Sequence, residues 1–124
     1  MTNLRIALFA AASLLAAAPA SAQGFLCSVD PASYLGLSSD GMVAVNVANA
    51  TRTISICSVS QTVGGVNPEA CAGWYSSLLT WRALGKSGTI YFNTAHSANQ
   101  GNTSCSQFPT PDWSVRIPYH IGGA

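Results

Sequence analysis

Charge is what this chain has least of. Its 124 residues carry 5 Lys plus Arg and 4 Asp plus Glu, for a formal net charge of +1. With so few charges and neither sign concentrated, the chain lacks the electrostatic footprint of a nucleic-acid or anionic-lipid binder. Histidine is nearly as scarce, with only His96 and His120, and no C-x2-C or H-x3-H spacing occurs. A structural metal site is therefore not expected, and nothing in the sequence implies a cofactor. The longest apolar run, residues 6–18, is interrupted by Ser13, and it falls short of the roughly 20 residues that a spanning helix needs. No internal repeat, linker or second domain is visible.

That short apolar run has a different use. Arg5 precedes it and Pro19-Ala20-Ser21-Ala22 follows it with a small-x-small pattern, so residues 1–22 read as a cleavable export signal. Bulky Phe25 and Leu26 before Cys27 argue against a lipid anchor. The expectation is a domain over residues 23–124 whose first residue after cleavage is Gln23, located in the periplasm or outside the cell. In that part Arg52, Arg82, Lys86 and Arg116 balance Asp30, Asp40, Glu69 and Asp112, and Ser, Thr, Asn and Gly carry the solubility. About a hundred residues bury enough surface to fold as one domain, with a modest margin.

The four cysteines, Cys27, Cys57, Cys71 and Cys105, all lie beyond the cleavage site. They allow three pairings. The favoured one joins Cys57 to Cys71, a strand end to the following helix, and Cys27 to Cys105, the two flanks of the domain. On the chain-entropy model a loop of about 15 residues is worth about 3 kcal/mol, and a longer loop more.

The clearest element is a helix that starts at Pro68. Asn67 suits the N-cap, Pro68 the first helical position, and Glu69 the positive end of the dipole. Gly85 ends it, with Lys86 complementing the far end. Cys71, Trp74, Tyr75, Leu78, Leu79 and Arg82 recur at three- and four-residue steps, one apolar face to be packed on a sheet. Trp74 and Tyr75 accordingly read as core.

Strands flank this helix. Val43, Val45 and Val47 alternate with Ala44 and Asn46, and Asn49-Ala50 marks a turn into a second strand over Thr53 to Cys57. An earlier short strand, near Ser33 to Leu37, is bent or weakened by Gly36. After the helix come Thr89-Ile90-Tyr91-Phe92 and then an alternating stretch with Trp113, Val115, Ile117 and Tyr119, which Pro118 marks as an edge or an end.

Three strands, a helix and two strands make an α+β chain. The predicted architecture is a small antiparallel, OB-like five-stranded barrel or curved sheet, disulfide-stabilised, with one helix between strands three and four. Ile56-Cys57, Cys71-Ala72-Gly73-Trp74-Tyr75, Leu78-Leu79, and Gly85 followed by Ile90-Tyr91-Phe92 add detail to that order. This scaffold, from Val43 to Phe92, resembles small exported bacterial proteins, including the OB-fold B subunits of the subtilase and pertussis-type toxins. The resemblance implies glycan binding and self-association into a ring. It carries no sugar-binding motif, and it does not reach the last third of the chain.

Catalysis has little to stand on. A nucleophile needs a base within reach and the base needs an orienting group, yet the only histidines are His96, in a polar loop where its adjacency to Ser97 carries no triad geometry, and His120. Glu69 belongs to the helix start, Asp40 to the Asp40-Gly41 turn, and Asp30 and Asp112 to neighbouring prolines. An exported, even set of cysteines offers no thiolate.

Binding is the better reading. Residues 93–110 form a long polar segment: the plainer reading is an ordinary solvated loop tied down by Cys105, while neutral amide- and hydroxyl-rich loops beside aromatic rings would also suit a carbohydrate. The candidate ligand residues are Tyr91, His96, Asn99, Asn102 and Trp113. A second reading is a periplasmic structural or inhibitory domain that contacts another exported protein through Trp81 and Arg82, provided Trp81 lies off the buried helix face, or through the late loop.

Overall fold

The computed structural model describes residues 23–47, 52–108 and 113–123. The expected export signal, the Asn49-Ala50 turn and Asp112 lie outside the described residues. Six strands and one helix follow in the order β1 (Gly24–Val29), β2 (Leu35–Leu37), β3 (Met42–Val47), β4 (Arg52–Ser58), α1 (Pro68–Ala83), β5 (Gly88–Asn93) and β6 (Pro118–Gly123).

All strand pairs are antiparallel, in the order β2-β3-β1-β5-β6 with β4 on β3. β1 runs alongside β5 from Gly24 opposite Asn93 to Val29 opposite Gly88, and Val29 also pairs with Val47 of β3. β2 continues along β3, with Leu35 opposite Val45. The sheet curls until its ends approach: Ser55 of β4 forms an isolated parallel bridge with Val115, Ser55 N–H donating to Ser114 O at 3.1 Å and Arg116 N–H to Ser55 O at 2.9 Å. The result is a half-barrel filled by Val29, Val43, Val45, Val47, Ile54, Ile56, Ile90 and Phe92, all buried. Each such side chain contributes about 1.5–3 kcal/mol when fully removed from water.

The helix begins and ends where its sequence signals lie. Asn67 Oδ1 accepts the Ala70 N–H at 2.8 Å, with Pro68 and Glu69 in the first turn. The last turn closes at the Leu84 cap, and Gly85 takes φ +63°, a conformation that costs a side-chain-bearing residue about 1–2 kcal/mol. Cys71 and Leu78 are buried against the sheet, and Trp74, Tyr75 and Trp81 pack half-buried on the same core. Both disulfides form, Cys57–Cys71 tying the helix to β4 and Cys27–Cys105 tying β1 to the late segment.

Four expectations need correction. The sheet has six strands and the helix follows the fourth, because β1 was not anticipated: Phe25, Leu26 and Cys27 are apolar in succession and mask the alternation that points Cys27 and Val29 inward. The last strand is Pro118–Gly123, and the stretch before it is irregular, so Arg116 is 2% exposed and Ile117 buried where alternation would have put Arg116 outside. Leu79 is 43% exposed, since the helix turns its Cys71–Leu78–Trp81 side to the sheet. Trp81 is not an outward-facing ring: a Cβ added at Gly88 would lie 2.3 Å from its ring, and one at Gly123 3.0 Å away. Arg82 lies at the margin of β2, its guanidinium donating to Leu35 O at 3.3 Å.

Candidate functional site

The segment that joins β5 to β6 holds most of the residues of interest, and its described residues are held by specific contacts. Two 3-10 turns, Ser97–Asn99 and Cys105–Gln107, shape it. Asn99 is fully buried; its Nδ2 donates to Asn93 O at 2.8 Å and to Ile117 O at 3.0 Å, and its Oδ1 accepts the Ile117 N–H at 2.8 Å. Asn99 is thus a clamp between the two ends of the segment, with its amide fully used. The buried Arg116 reaches back to Ala98 O at 2.9 Å, and its guanidinium lies 5.5 Å from the Phe108 ring centre. Phe108 joins Phe25 and Phe92 in an aromatic cluster with centroids 5.3–5.8 Å apart. Such ring pairs add about 0.5–1.5 kcal/mol each. A plain solvated loop is not what the described residues form, since Asn99 and Phe108 are buried and Cys105 is bonded to Cys27.

His96 is held equally firmly. Its Nδ1 accepts the Ala98 N–H at 3.1 Å, capping the first 3-10 turn, and its Nε2 lies 3.0 Å from Gly64 O. A peptide N–H only donates and a carbonyl only accepts, so the ring is the neutral tautomer with the proton on Nε2. Among the described residues, both ring nitrogens are engaged by backbone groups and neither by a carboxylate. His120 is exposed and packs its ring on Tyr91, centroids 5.3 Å apart.

Gly64 sits under His96 for a steric reason. Val63 and Val66 pair through N–H to O bonds of 3.1 and 3.0 Å. Gly64 and Gly65 between them take φ +57° and +85°, as both central residues of a type I′ turn must. A Cβ on Gly64 would meet Ile117 at 2.4 Å and His96 at 3.2 Å. The turn therefore lies flush on the late segment.

Together these elements line an open, shallow cavity of about 330 Å³. Its walls are the Gly64-Gly65 turn, Val66, Asn67 and Ala70 at the start of α1, Trp74 from the helix, Asn93 and His96 from the segment after β5, and Ile117, Pro118 and Tyr119 at the entry to β6. Among the described residues, no charged side chain lines it. The volume lies at the lower end of the roughly 300–1,000 Å³ typical of small-molecule sites, whose walls are mostly apolar with a few placed polar groups. Asn67 Oδ1 is engaged by Ala70, and Asn93 Oδ1 by the Ala95 N–H at 2.9 Å.

Of the sequence-predicted ligand residues, only His96 lines this cavity. Tyr91 lies on the outer face of β5 beside Tyr119, centroids 6.2 Å apart, so it borders the cavity through that ring. Asn102 is half-buried, with Oδ1 out of contact with any donor among the described residues. Trp113 is elsewhere: 58% exposed, it meets Tyr34 edge-on, centroids 5.4 Å apart, over Gly36, Ala44 and Ser55. This second cleft measures about 150 Å³ and is completed by Leu37, Ser38 and Met42. Beyond it Asp40 accepts from the Ser38 hydroxyl, and that bond, with the Met42 N–H, holds its carboxyl below the ordinary range.

Sequence reasoning passed over Gly64, Asn67, Asn93 and Tyr119 as site residues, and assigned Trp74 to the core. The Gly64-Gly65 pair directly before the Asn67 cap was the available signal, since it forces a tight turn onto the helix start. Among the described residues there is no group of three His, Cys, Asp or Glu side chains that could hold a metal ion, and no helix is long and apolar enough to cross a membrane. The chain matches no protein-family model, no curated protein and no solved structure.

Proposed function

We propose that this chain is a small exported binding module whose ligand is a glycan, received in the cavity between the Gly64 turn, Trp74, His96 and Tyr119. The observation that carries the reading is the neutrality of that cavity beside two aromatic walls. Sugar hydroxyls are matched by uncharged amide and phenol groups, and the C–H faces of a pyranose pack on rings. Pre-organisation supports it as well, because the His96 and Asn99 bonds hold the walls in place before any ligand arrives.

An OB-like barrel fits the strand pairing. If β1, which meets β3 at Val29 opposite Val47, and β2, which runs along β3, count as one interrupted strand, five strands remain and the helix falls between the third and the fourth. The resemblance to toxin B subunits adds glycan binding and self-association to the reading, and the two disulfides suit the oxidising compartment that an export signal implies.

The experiment is a glycan array probed with the oxidised protein from residue 23 onward, followed by tryptophan-fluorescence titration of any hit. Tyr119→Ala, at an exposed position, is expected to weaken binding at least several-fold with the melting temperature unchanged. Absence of any glycan ligand at millimolar concentration would refute the reading.

The exposed Trp113–Tyr34 pair favours a second reading, a protein-contact domain that uses this cleft in place of the Trp81 and Arg82 surface. Under it, Trp113→Ala abolishes partner capture and Tyr119→Ala does not.

A further inference from the structure

We infer that the Cys27–Cys105 bridge is a redox latch: a dithiol opens it in the folded protein and loosens residues 102–108, while Cys57–Cys71 stays closed. The inference rests on burial and is independent of the glycan reading. Cys57 and Cys71 are both 0% exposed, between β4 and α1, and Cys27 is 1% exposed on the inward face of β1. Cys105 alone of the four is partly exposed. Its Sγ lies 3.1 Å from the carbonyl oxygen of Leu26, a residue 61% exposed, and the next two residues, Ser106 and Gln107, are exposed as well.

Reduction begins when a thiolate reaches one of the two sulfurs, so access decides which bridge reacts. The thiolate of the dithiol bonds to Cys105 Sγ, and Cys27 Sγ leaves as a thiolate that takes a proton from water. The second thiolate of the reagent then attacks the reagent's own sulfur in the mixed disulfide, and Cys105 leaves and is protonated in turn. Two electrons have passed to the bridge, and the dithiol has become a disulfide. At Cys57–Cys71 neither sulfur can be reached until α1 lifts from the sheet, which exposes Cys71 and Leu78 together. An opening of that size approaches global unfolding and is correspondingly rare.

What the outer bridge holds is the second 3-10 turn and the residues leading into it. Their side-chain bonds to one another are local: Gln107 Oε1 accepts the Thr103 N–H at 2.6 Å, and the Ser104 and Ser106 hydroxyls lie 2.9 Å apart. The turn is tied to the sheet by the bridge itself, by Arg52 Nη1 donating to Cys105 O at 3.0 Å, and by the Phe108 ring on Phe25 and Phe92. The Asn99 clamp lies upstream and bonds Asn93 and Ile117, neither of which the bridge holds. Opening the bridge therefore removes the covalent tie from residues 102–108 and leaves the clamp and the helix in place.

The test is timed reduction of the oxidised protein with dithiothreitol under native conditions, quenched with iodoacetamide and mapped by peptide mass spectrometry. A species alkylated only at Cys27 and Cys105 is expected to accumulate, with Cys57 and Cys71 labelled at least about 100-fold more slowly, since their bridge waits for the rarer opening. In urea above the unfolding midpoint burial is gone, and the two bridges are expected to open at rates within about 5-fold of each other. Amide exchange of the two-thiol species is expected to be at least about 10-fold faster over residues 102–108 than in the oxidised protein, with β3, β4 and α1 unchanged.

Simultaneous labelling of all four cysteines in the native protein, or labelling of Cys57 and Cys71 first, overturns the inference. So does a native preference that persists undiminished in urea, because burial would then not be its cause. Unchanged exchange over residues 102–108 after selective reduction also overturns it, since the bridge would be reducible without acting as a latch. None of these outcomes bears on whether a glycan binds.

Discussion

Asn99 is the residue whose replacement tests the architecture of the late segment most directly. Asn99→Ala removes three hydrogen bonds at 2.8–3.0 Å from a side chain with no exposed surface. The Ile117 N–H then has no partner in a place that water does not reach, which costs about 1–3 kcal/mol, and the Asn93 and Ile117 carbonyls each lose a donor worth about 0.5–1.5 kcal/mol. The sum is about 2–6 kcal/mol, a large part of the roughly 5–15 kcal/mol by which such domains are stable. At about 4–8 °C per kcal/mol for a domain of this size, the midpoint falls by at least about 8 °C. The assay is urea unfolding followed by tryptophan fluorescence and far-UV circular dichroism, with the disulfides intact. Asn99→Asp serves as the companion: it keeps the acceptor for the Ile117 N–H but turns an oxygen toward two carbonyls, so it is expected to destabilise as much as alanine or more. A loss under about 1 kcal/mol for both variants would show that Asn99 is not a clamp.

Three further outcomes follow from the same geometry. Gly64→Ala is expected to cost about 2–4 kcal/mol, from positive φ and collision with Ile117, while Gly65→Ala, with nothing within 4 Å of its added Cβ, costs only the backbone share of about 1–2 kcal/mol; equal losses by urea titration would contradict the packing of the turn. Paired replacement of Cys27 and Cys105 by Ser, whose link spans 78 residues, is expected to cost between about 4 and 5 kcal/mol and to release the late segment, read as faster amide exchange there than in a Cys57→Ser, Cys71→Ser protein. Asp30 is held below its ordinary value of 3.8 first by the Ser33 hydroxyl and then by the Ser33 and Ala32 N–H groups, and Asp40 first by the Ser38 hydroxyl. Because both folded-state values are depressed, their stabilisation is complete above the unfolded value and is lost as pH falls through the folded one. Being exposed, they contribute only a shallow slope, which Asp30→Asn and Asp40→Asn should flatten in denaturation curves from about pH 5 to about pH 2.

The helix was legible in the sequence because every one of its signals is local. Asn67, Pro68, Glu69 and Gly85 act within one turn of themselves, and three-to-four-residue spacing needs no partner to be seen. The β3 and β4 strands were legible for the same reason, since Val43, Val45 and Val47 alternate cleanly. What failed depends on distant contacts. β1 carries two faces of similar polarity, so only its pairing with β5 reveals it. The stretch from Trp113 to Tyr119 does alternate, yet the Asn99 clamp on Ile117 and the pull of Ala98 O on Arg116 turn a side chain inward that local pattern sends out. The cavity is a further step removed: the Gly64 turn, α1, β5 and the entry to β6 each supply part of it, and none looks like a site alone. Of the residues singled out beforehand for ligand binding, His96 lines the cavity and Trp113 stands at the other cleft, because a polar stretch beside aromatics marks a region without saying which of its amides the fold consumes.

The nesting of the two disulfides has a consequence for how the protein is made. Cys57–Cys71 lies wholly inside the loop closed by Cys27–Cys105. A chain delivered from its N-terminus presents Cys27 and Cys57 as free thiols long before Cys105 appears, and oxidation in order of arrival joins that pair first. Such a bridge prevents Cys71 from finding its partner, and only thiol–disulfide exchange by a later cysteine removes it. Yield in a heterologous host is then governed by reshuffling capacity more than by oxidising power. Adding an isomerase should raise the native fraction, and adding oxidant alone should trap the wrong one.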